Sequence, residues 1–300
     1  MQFSKNSSVF VLAPELKSVT TIDIKPSSQS TDKLWIYCCL NWRTRIFADY
    51  INSLNIADII VSYNDISQLK RVDYNATCNY IIPFLIDDAY HCKFLPSNTI
   101  FINTEPVDTN NKCENIEKVR ALGYKIIDYS PINAKIYNSL YIPYQIRPEE
   151  NEKLKKLLKE TPKERDVVTV AYMVPRRTQI QIEGYNKDLD IANITGYDEQ
   201  RDKDIAEGKI LLNIHQRDYS VFEHIRCDRW IYAGMTIVSE ESRETSDLDI
   251  APFVHFVPYS KCIDKCVELL KGEIKIEERI IPENRRMSDI PQQIQNLLNN

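Results

Sequence analysis

Glycine is scarce in this chain, with six residues in 300 against the roughly 7% of an average globular protein. They stand at 123, 184, 196, 208, 234 and 272, and no two are spaced to form G-x-G-x-x-G or G-x-x-x-x-G-K-[ST]. Both glycine-rich phosphate cradles are excluded, and with them an NAD-type Rossmann fingerprint and a P-loop nucleotidase. A basic balance is lacking as well. Lys and Arg number 38 against 43 Asp and Glu, for a net charge of −5, so no nucleic-acid partner is expected. Long apolar runs are missing too. Nothing approaches the ~18 residues of a transmembrane segment, and the apolar run at 9–13 is too short for the core of a secretory leader. The expected address is cytoplasmic.

Cysteine is present in number but not in pattern. Among the eight there is no CxxC, and His91-Cys92 has no second ligand pair at zinc spacing. Cys38 and Cys39 lie in a strand-like run, and Cys262 and Cys266 one helical turn apart. All of this reads as reduced structural thiols, with no metal site.

What the chain does have is a hydrophobic content of 43%, enough for one large core or two moderate ones. Two strand-like patches, 8–12 and 19–25, precede a long alternation. Strands are expected at 34–40 (LWIYCCL), 57–62, 79–84, 98–103 (NTIFIN) and 124–128 (YKIID), with helices at 42–54, 64–71, 113–122 and 131–139. A charged helix, 147–165, changes the character of the chain. The alternation then restarts, with strands at 166–172 (DVVTVAY), 188–195, 209–214 (KILLNI), 235–239 (MTIVS) and 252–257. Helices follow at 176–183, 202–206, 221–233, 261–270 and 291–298. Alternation of this kind makes a parallel sheet with crossover helices. It predicts an α/β protein of two doubly wound, Rossmann-like domains. The first covers 1–146, a helical linker 147–165, the second domain 166–275 and a tail with a helix 276–300. Ligands of such sheets bind beyond the carboxyl ends of the strands.

Polar residues cluster at those ends. Arg176 and Arg177 follow the strand at 166–172. Asn213 and His215 end the strand at 209–214. Glu223, Arg226, Asp228 and Arg229 open or line the next helix, and Glu240 and Glu241 follow MTIVS. Arginines beside helix N-termini suit phosphate oxygens, so the pattern points to a diphosphate site built without glycine loops. His215 reads either as a core histidine or as a ligand contact. In the first half, Glu105 ends NTIFI and Asp128 ends YKII. Glu105 is either a turn carboxylate before Pro106 or a base at the site; Asp128 is either a helix cap or a ligand contact.

Several stretches resemble one family. IFINTEP, KIIDYSPINAKIYNSL, YIPYQIRPEE, VVTVAYMVPRRTQI and GKILLNIHQ…VFEHIRCDRWIYAGMTIVSEE, which together run from about 98 to 270, are similar to the "glycosyl transferases group 1"-like branch of the GT-B glycosyltransferases. The resemblance implies two facing domains with a cleft between them, the second holding a nucleotide-sugar donor (a UDP- or GDP-sugar) and the first a glycan, protein or small-molecule acceptor. It implies metal-independent transfer with retention of anomeric configuration. By residue, Arg177 and Arg226 would contact the diphosphate, and Asn213 and His215 would border the donor pocket. Tyr172 and Met173 would lie near the base, and Glu105 would face the pocket as the carboxylate near the reacting carbon. Glu240 would be free for sugar hydroxyls. The chain departs from the family at two points. A glycine is expected where Tyr172-Met173 stands, and the ribose-binding carboxylate falls on Arg229, with Asp228 next to it. Those departures favour the alternative, a catalytically inactive GT-B-like nucleotide- or sugar-binding or interaction protein.

Overall fold

The computed structural model describes residues 10–11, 34–40, 50, 53–54, 59–63, 78–84, 97–103, 110–196, 199–218 and 220–299. The expected helix at 64–71, the strand-like patch at 19–25, most of the expected helix at 42–54, and Glu105 lie outside the described residues. The chain divides into two units, 1–143 with 287–300, and 144–286.

Among the described residues the first unit carries seven parallel strands: β1 (Phe10–Val11), β2 (Leu34–Leu40), β3 (Ile59–Tyr63), β4 (Cys78–Phe84), β5 (Thr99–Asn103), β6 (Lys125–Asp128) and β7 (Leu140–Tyr141). Their order is β1-β3-β2-β4-β5-β6-β7. All five residues of β5 are buried, as a parallel strand covered on both faces requires. Helix α1 (Asn110–Ala121) leads to β6, and α2 (Pro131–Tyr137) follows it. Ser130 caps α2 by accepting the Asn133 amide at 3.3 Å, with proline in the first helical position. The helix stops at Tyr137, short of the expected 139, because Asn138 turns left-handed at φ 49°.

The described residues of the second unit form five parallel strands: β8 (Arg165–Thr169), β9 (Ile191–Asn193), β10 (Gly208–Asn213), β11 (Thr236–Glu240) and β12 (Val254–Val257). They run in the order β12-β11-β10-β8-β9. Its helices are α3 (Pro148–Glu160), α4 (Pro175–Tyr185), α5 (Glu199–Ala206), α6 (His224–Ala233) and α7 (Cys262–Leu270). The charged 147–165 segment forms α3, which buries Leu154 and Leu158 and packs on α6. One face of the sheet, Val167, Ile191, Ile210, Leu212 and Val238, packs with Ile180 of α4 and Cys262, Ile263 and Cys266 of α7. Burying each such aliphatic side chain stabilises by about 1.5–3 kcal/mol. Cys227, Cys262 and Cys266 are free and buried, and burial pushes the Cys266 thiol up to about 12. The remaining helix, α8 (Ile290–Asn299), belongs to the first unit. Among the described residues no helix is long and apolar enough to cross a membrane.

Three of the elements that fall short of the sequence expectation border the site. The strand expected at 166–172 ends at Thr169, and the one at 188–195 is reduced to Ile191–Asn193. The helix expected from 221 begins at His224. Val221 and Phe222 are buried as non-helical chain, the Phe222 amide donating to Glu244 at 3.0 Å and its ring packing edge-on against Phe256. Interior strand β8 pairs with β9 on one side and β10 on the other. The chain therefore goes outward from β8 to β9 and returns to the opposite side for β10. That reversal is the topological switch point, where doubly wound sheets take their ligands.

Candidate functional site

Two loops leave the sheet at the switch point, 170–174 after β8 and 214–223 after β10. The first reaches α4 without glycine. Asn193 holds it, its amide oxygen accepting from Thr169 Oγ1 at 2.9 Å and Ala171 N at 3.2 Å, and its amide nitrogen donating to Ala171 O at 3.1 Å. The only non-glycine residues with positive φ among the described ones are Asn138 and Asp188. Tyr172 and Met173 thus need no left-handed backbone, and this loop takes a path on which side chains are tolerated. Tyr172 is 78% exposed, while Met173 is half-buried.

The arginines that open α4 have different tasks. Arg176 forks onto Glu240, with Nη1 2.6 Å from Oε2 and Nη2 against Oε1. It also meets Asp218 through Nε at 2.9 Å and Nη2 at 2.8 Å, and the His215 carbonyl through Nη1 at 3.2 Å. Those five contacts match the five N–H groups a guanidinium owns. Below it lies the Tyr259 ring, 3.8 Å from Cζ. Glu240 is occupied as fully, since the His215 amide donates to it at 3.2 Å. This pair braces the two loops, and Glu240 is not the free carboxylate expected after MTIVS.

Arg177, 5% exposed, joins the loops. Nε donates to Ile214 O at 2.8 Å, Nη1 to Tyr172 O at 2.9 Å and Nη2 to Glu223 Oε1 at 3.1 Å. Burial pulls its pKa down to about 10 against the opposing pull of Glu223. Arg226, on the first turn of α6, lies 3.1 Å from Asn213 Oδ1 through Nη1 and 3.1 Å from Glu223 Oε2 through Nη2. Its side chain is 9% exposed, and Nε has no hydrogen-bond partner. Asn213 is fully buried and donates to Ser239 Oγ at 3.1 Å. Burial would raise the Glu223 carboxyl, but Arg226 and Arg177 hold it below the usual range.

His215 has no exposed surface, and neither ring nitrogen has a hydrogen-bond partner. Burial lowers its pKa, outweighing the attraction of Glu223 and Glu240. The ring is therefore neutral at pH 7, offering one donor and one acceptor. An orphaned buried polar group costs about 1–3 kcal/mol. Such groups on both His215 and Arg226, beside the switch point, mark a place suited to a ligand.

The structure thus brings Arg177 and Arg226 together on Glu223, with Asn213 held by Arg226, and His215 lies within electrostatic reach of Glu223 and Arg226. It separates Asp228 from them. Asp228 is buried between His224 Nδ1 at 3.0 Å and Arg285 Nη1 at 2.6 Å. Neighbouring Arg229 ties α6 to Asp202 and Glu150, at 2.9 Å each. In the first unit, Asp128 accepts from Asn103 Nδ2 at 2.7 Å and Ser130 N at 2.8 Å, which is turn and cap chemistry. Glu223 carried a signal in its three-residue spacing from Arg226. Tyr259 and Asn193 meet the site only through the fold.

No protein-family model matches the chain. Relatives occur in Acanthamoeba polyphaga mimivirus. Protein L137 is 34% identical over 259 residues, 81% of this chain and 34% of L137. L138 is 37% identical over 219 residues, 70% of this chain and 25% of L138. The chain thus spans about a third and a quarter of the lengths of these two relatives. Among solved structures, an alpha1,3-fucosyltransferase is similar over 94% of both chains, at 12% identity and a TM-score of 0.42. A structure of an alpha1,3-fucosyltransferase with GDP-fucose is similar over 92% of this chain and 94% of that one, at 14% identity and a TM-score of 0.41. L140 is 32% identical over 250 residues, which cover 80% of this chain and 81% of L140. At that identity and coverage, this protein belongs to the family of the mimivirus protein L140.

Proposed function

We propose that the chain binds a nucleoside-diphosphate sugar at the carboxyl edge of the second sheet and transfers the sugar to a glycan, protein or small-molecule acceptor. One observation carries the reading. Beside the switch point, Arg226 Nε and both nitrogens of the His215 ring are buried without partners. A diphosphate supplies acceptor oxygens for Arg226 Nε and for the one N–H of the neutral His215 ring. In this reading Arg226 and the His215 N–H hold the phosphoryl oxygens, and exposed Tyr172 stacks on the base. Arg176 acts by fixing the loops, and Arg177 fixes them through Nε and Nη1 while its Nη2, now on Glu223, faces the phosphoryl group. Fixed cations stabilise the departing nucleoside diphosphate where its charge develops, so the transfer is metal-independent. The donor is a UDP- or GDP-sugar, and the group 1-like motifs favour retention of configuration and an acceptor on the first unit.

A specific observation supports a second reading, a GT-B-like protein that binds nucleotide or sugar without turning it over. No carboxylate of α6 is free to hold a ribose, because Asp228 is committed to Arg285 and His224, and position 229 is an arginine paired with Asp202 and Glu150. An activity measurement separates the two. Incubation of the full chain with UDP- and GDP-sugars is expected to release nucleoside diphosphate slowly by hydrolysis, and Arg226→Ala to abolish the release. Binding without release by the wild-type chain would establish the second reading instead.

A further inference from the structure

We propose that Glu223 is a resident counter-ion seated where the ligand's phosphoryl group belongs, and that this carboxylate sets which anions the site accepts. The inference rests on the function proposed above. Its starting point is a geometric asymmetry between the two carboxylates of the site. Glu240 is a closed partner, 6% exposed and gripped by the fork of a guanidinium with no N–H to spare. Glu223 is an open one. Its two oxygens reach two different arginines, Oε1 to Arg177 and Oε2 to Arg226, each at 3.1 Å. It is 29% exposed, whereas those arginines are 5% and 9% exposed. Although it stands at the N-cap position of α6, its side chain makes no capping bond. The most accessible member of the trio is therefore the anion, and the two cations behind it form a seat.

The occupant does not fill that seat. A carboxylate has two oxygens, and both are used. Arg226 Nε and the His215 ring nitrogens are still without partners, and both side chains are more than nine-tenths buried. A phosphoryl group has a further oxygen and more charge, so it can replace both contacts of Glu223 and also meet an orphaned donor. A monoanionic carboxylate ligand could only exchange one equal contact for another while losing its freedom in solution. Glu223 thus acts as a tethered competitor, which always sees the arginines at high effective concentration. The site rejects simple carboxylates and admits phosphoryl groups, at some cost in affinity for the latter.

Calorimetric titration of the full chain with inorganic pyrophosphate and with GDP, for wild type, Glu223→Gln and Glu223→Asp, tests this. The expected result is binding by wild type and about tenfold tighter binding of both ligands by Glu223→Gln, a change of about 1.4 kcal/mol. Glu223→Asp keeps the charge but is too short to span both arginines, and is expected to fall between the two. Affinity that is unchanged or weaker in both variants, with wild type binding, overturns the counter-ion role and leaves the donor site standing. Failure of all three proteins to bind either ligand overturns the donor site and this inference together.

Discussion

Arg285 Nη1 lies 2.6 Å from Asp228 Oδ2, and neither side chain has exposed surface. Arg285 also reaches both Asp249 oxygens, at 2.8 and 2.6 Å, and the Tyr144 carbonyl at 3.2 Å. Removing one partner of such a buried pair leaves an uncompensated charge, which costs about 3–5 kcal/mol. Arg285→Met is therefore expected to lower the urea midpoint sharply. Asp228→Asn, which keeps the shape and a hydrogen-bond acceptor, is expected to lower it less.

The same cluster makes stability depend on alkaline pH. Burial would lower the His224 pKa, but Asp228 at 3.0 Å and Glu244 at 3.6 Å raise it to about 9. In the unfolded chain it titrates near 6.5. The charged ring thus stabilises the fold fully below about pH 6.5, and this contribution is lost as pH rises through about 9. It amounts to ~3 kcal/mol, taking 1.36 kcal/mol for each pH unit between the two pKa values. Denaturant midpoints between pH 6 and 10 should fall towards the alkaline end in wild type and much less in His224→Gln. Parallel curves for the two proteins would contradict the assignment.

Arg177→Lys separates bracing from charge. Lysine keeps the cation but loses the fork that spans Ile214 O and Tyr172 O. Each carbonyl left unpaired costs about 1–3 kcal/mol. A lowered Tm together with weaker nucleotide binding is the expected result. Wild-type Tm and affinity in this variant would exclude the bracing role.

Gly234 closes α6 at φ 97°, and a Cβ there would stand 2.2 Å from the Glu277 carbonyl oxygen. Gly234→Ala meets both the left-handed penalty and a backbone clash, about 2–4 kcal/mol in all. Its denaturation midpoint should fall accordingly, whereas a midpoint within error of wild type would show that the 277 segment yields.

The sheets were legible because parallel strands buried on both faces, such as 99–103 and 210–213, read as unbroken apolar runs bounded by polar residues. Strand ends were less legible. Ala171 and Tyr172 continue the apolar run of β8, yet Asn193 turns the chain away there through bonds that no local pattern announces. The six glycines were informative about what they exclude, and residues 172–173, where the resemblance expects a glycine, keep ordinary φ angles. Arg177 and Arg226 were identifiable from their places after strands. That Arg176 and Glu240 saturate each other, and that Asp228 faces Arg285 rather than the site, depends on contacts across 64 and 57 residues. Sequence spacing carries no trace of such distances.

The central claim is that Arg226 and His215 form a seat for the diphosphate of a nucleotide sugar. Calorimetric titration of wild type and Arg226→Ala with UDP and GDP, alongside their Tm values, tests it most directly. The account predicts saturable binding of at least one nucleotide by wild type and a loss of at least tenfold in Arg226→Ala with the fold retained. No binding of either nucleotide by folded wild type, or equal binding by the two proteins, would contradict it.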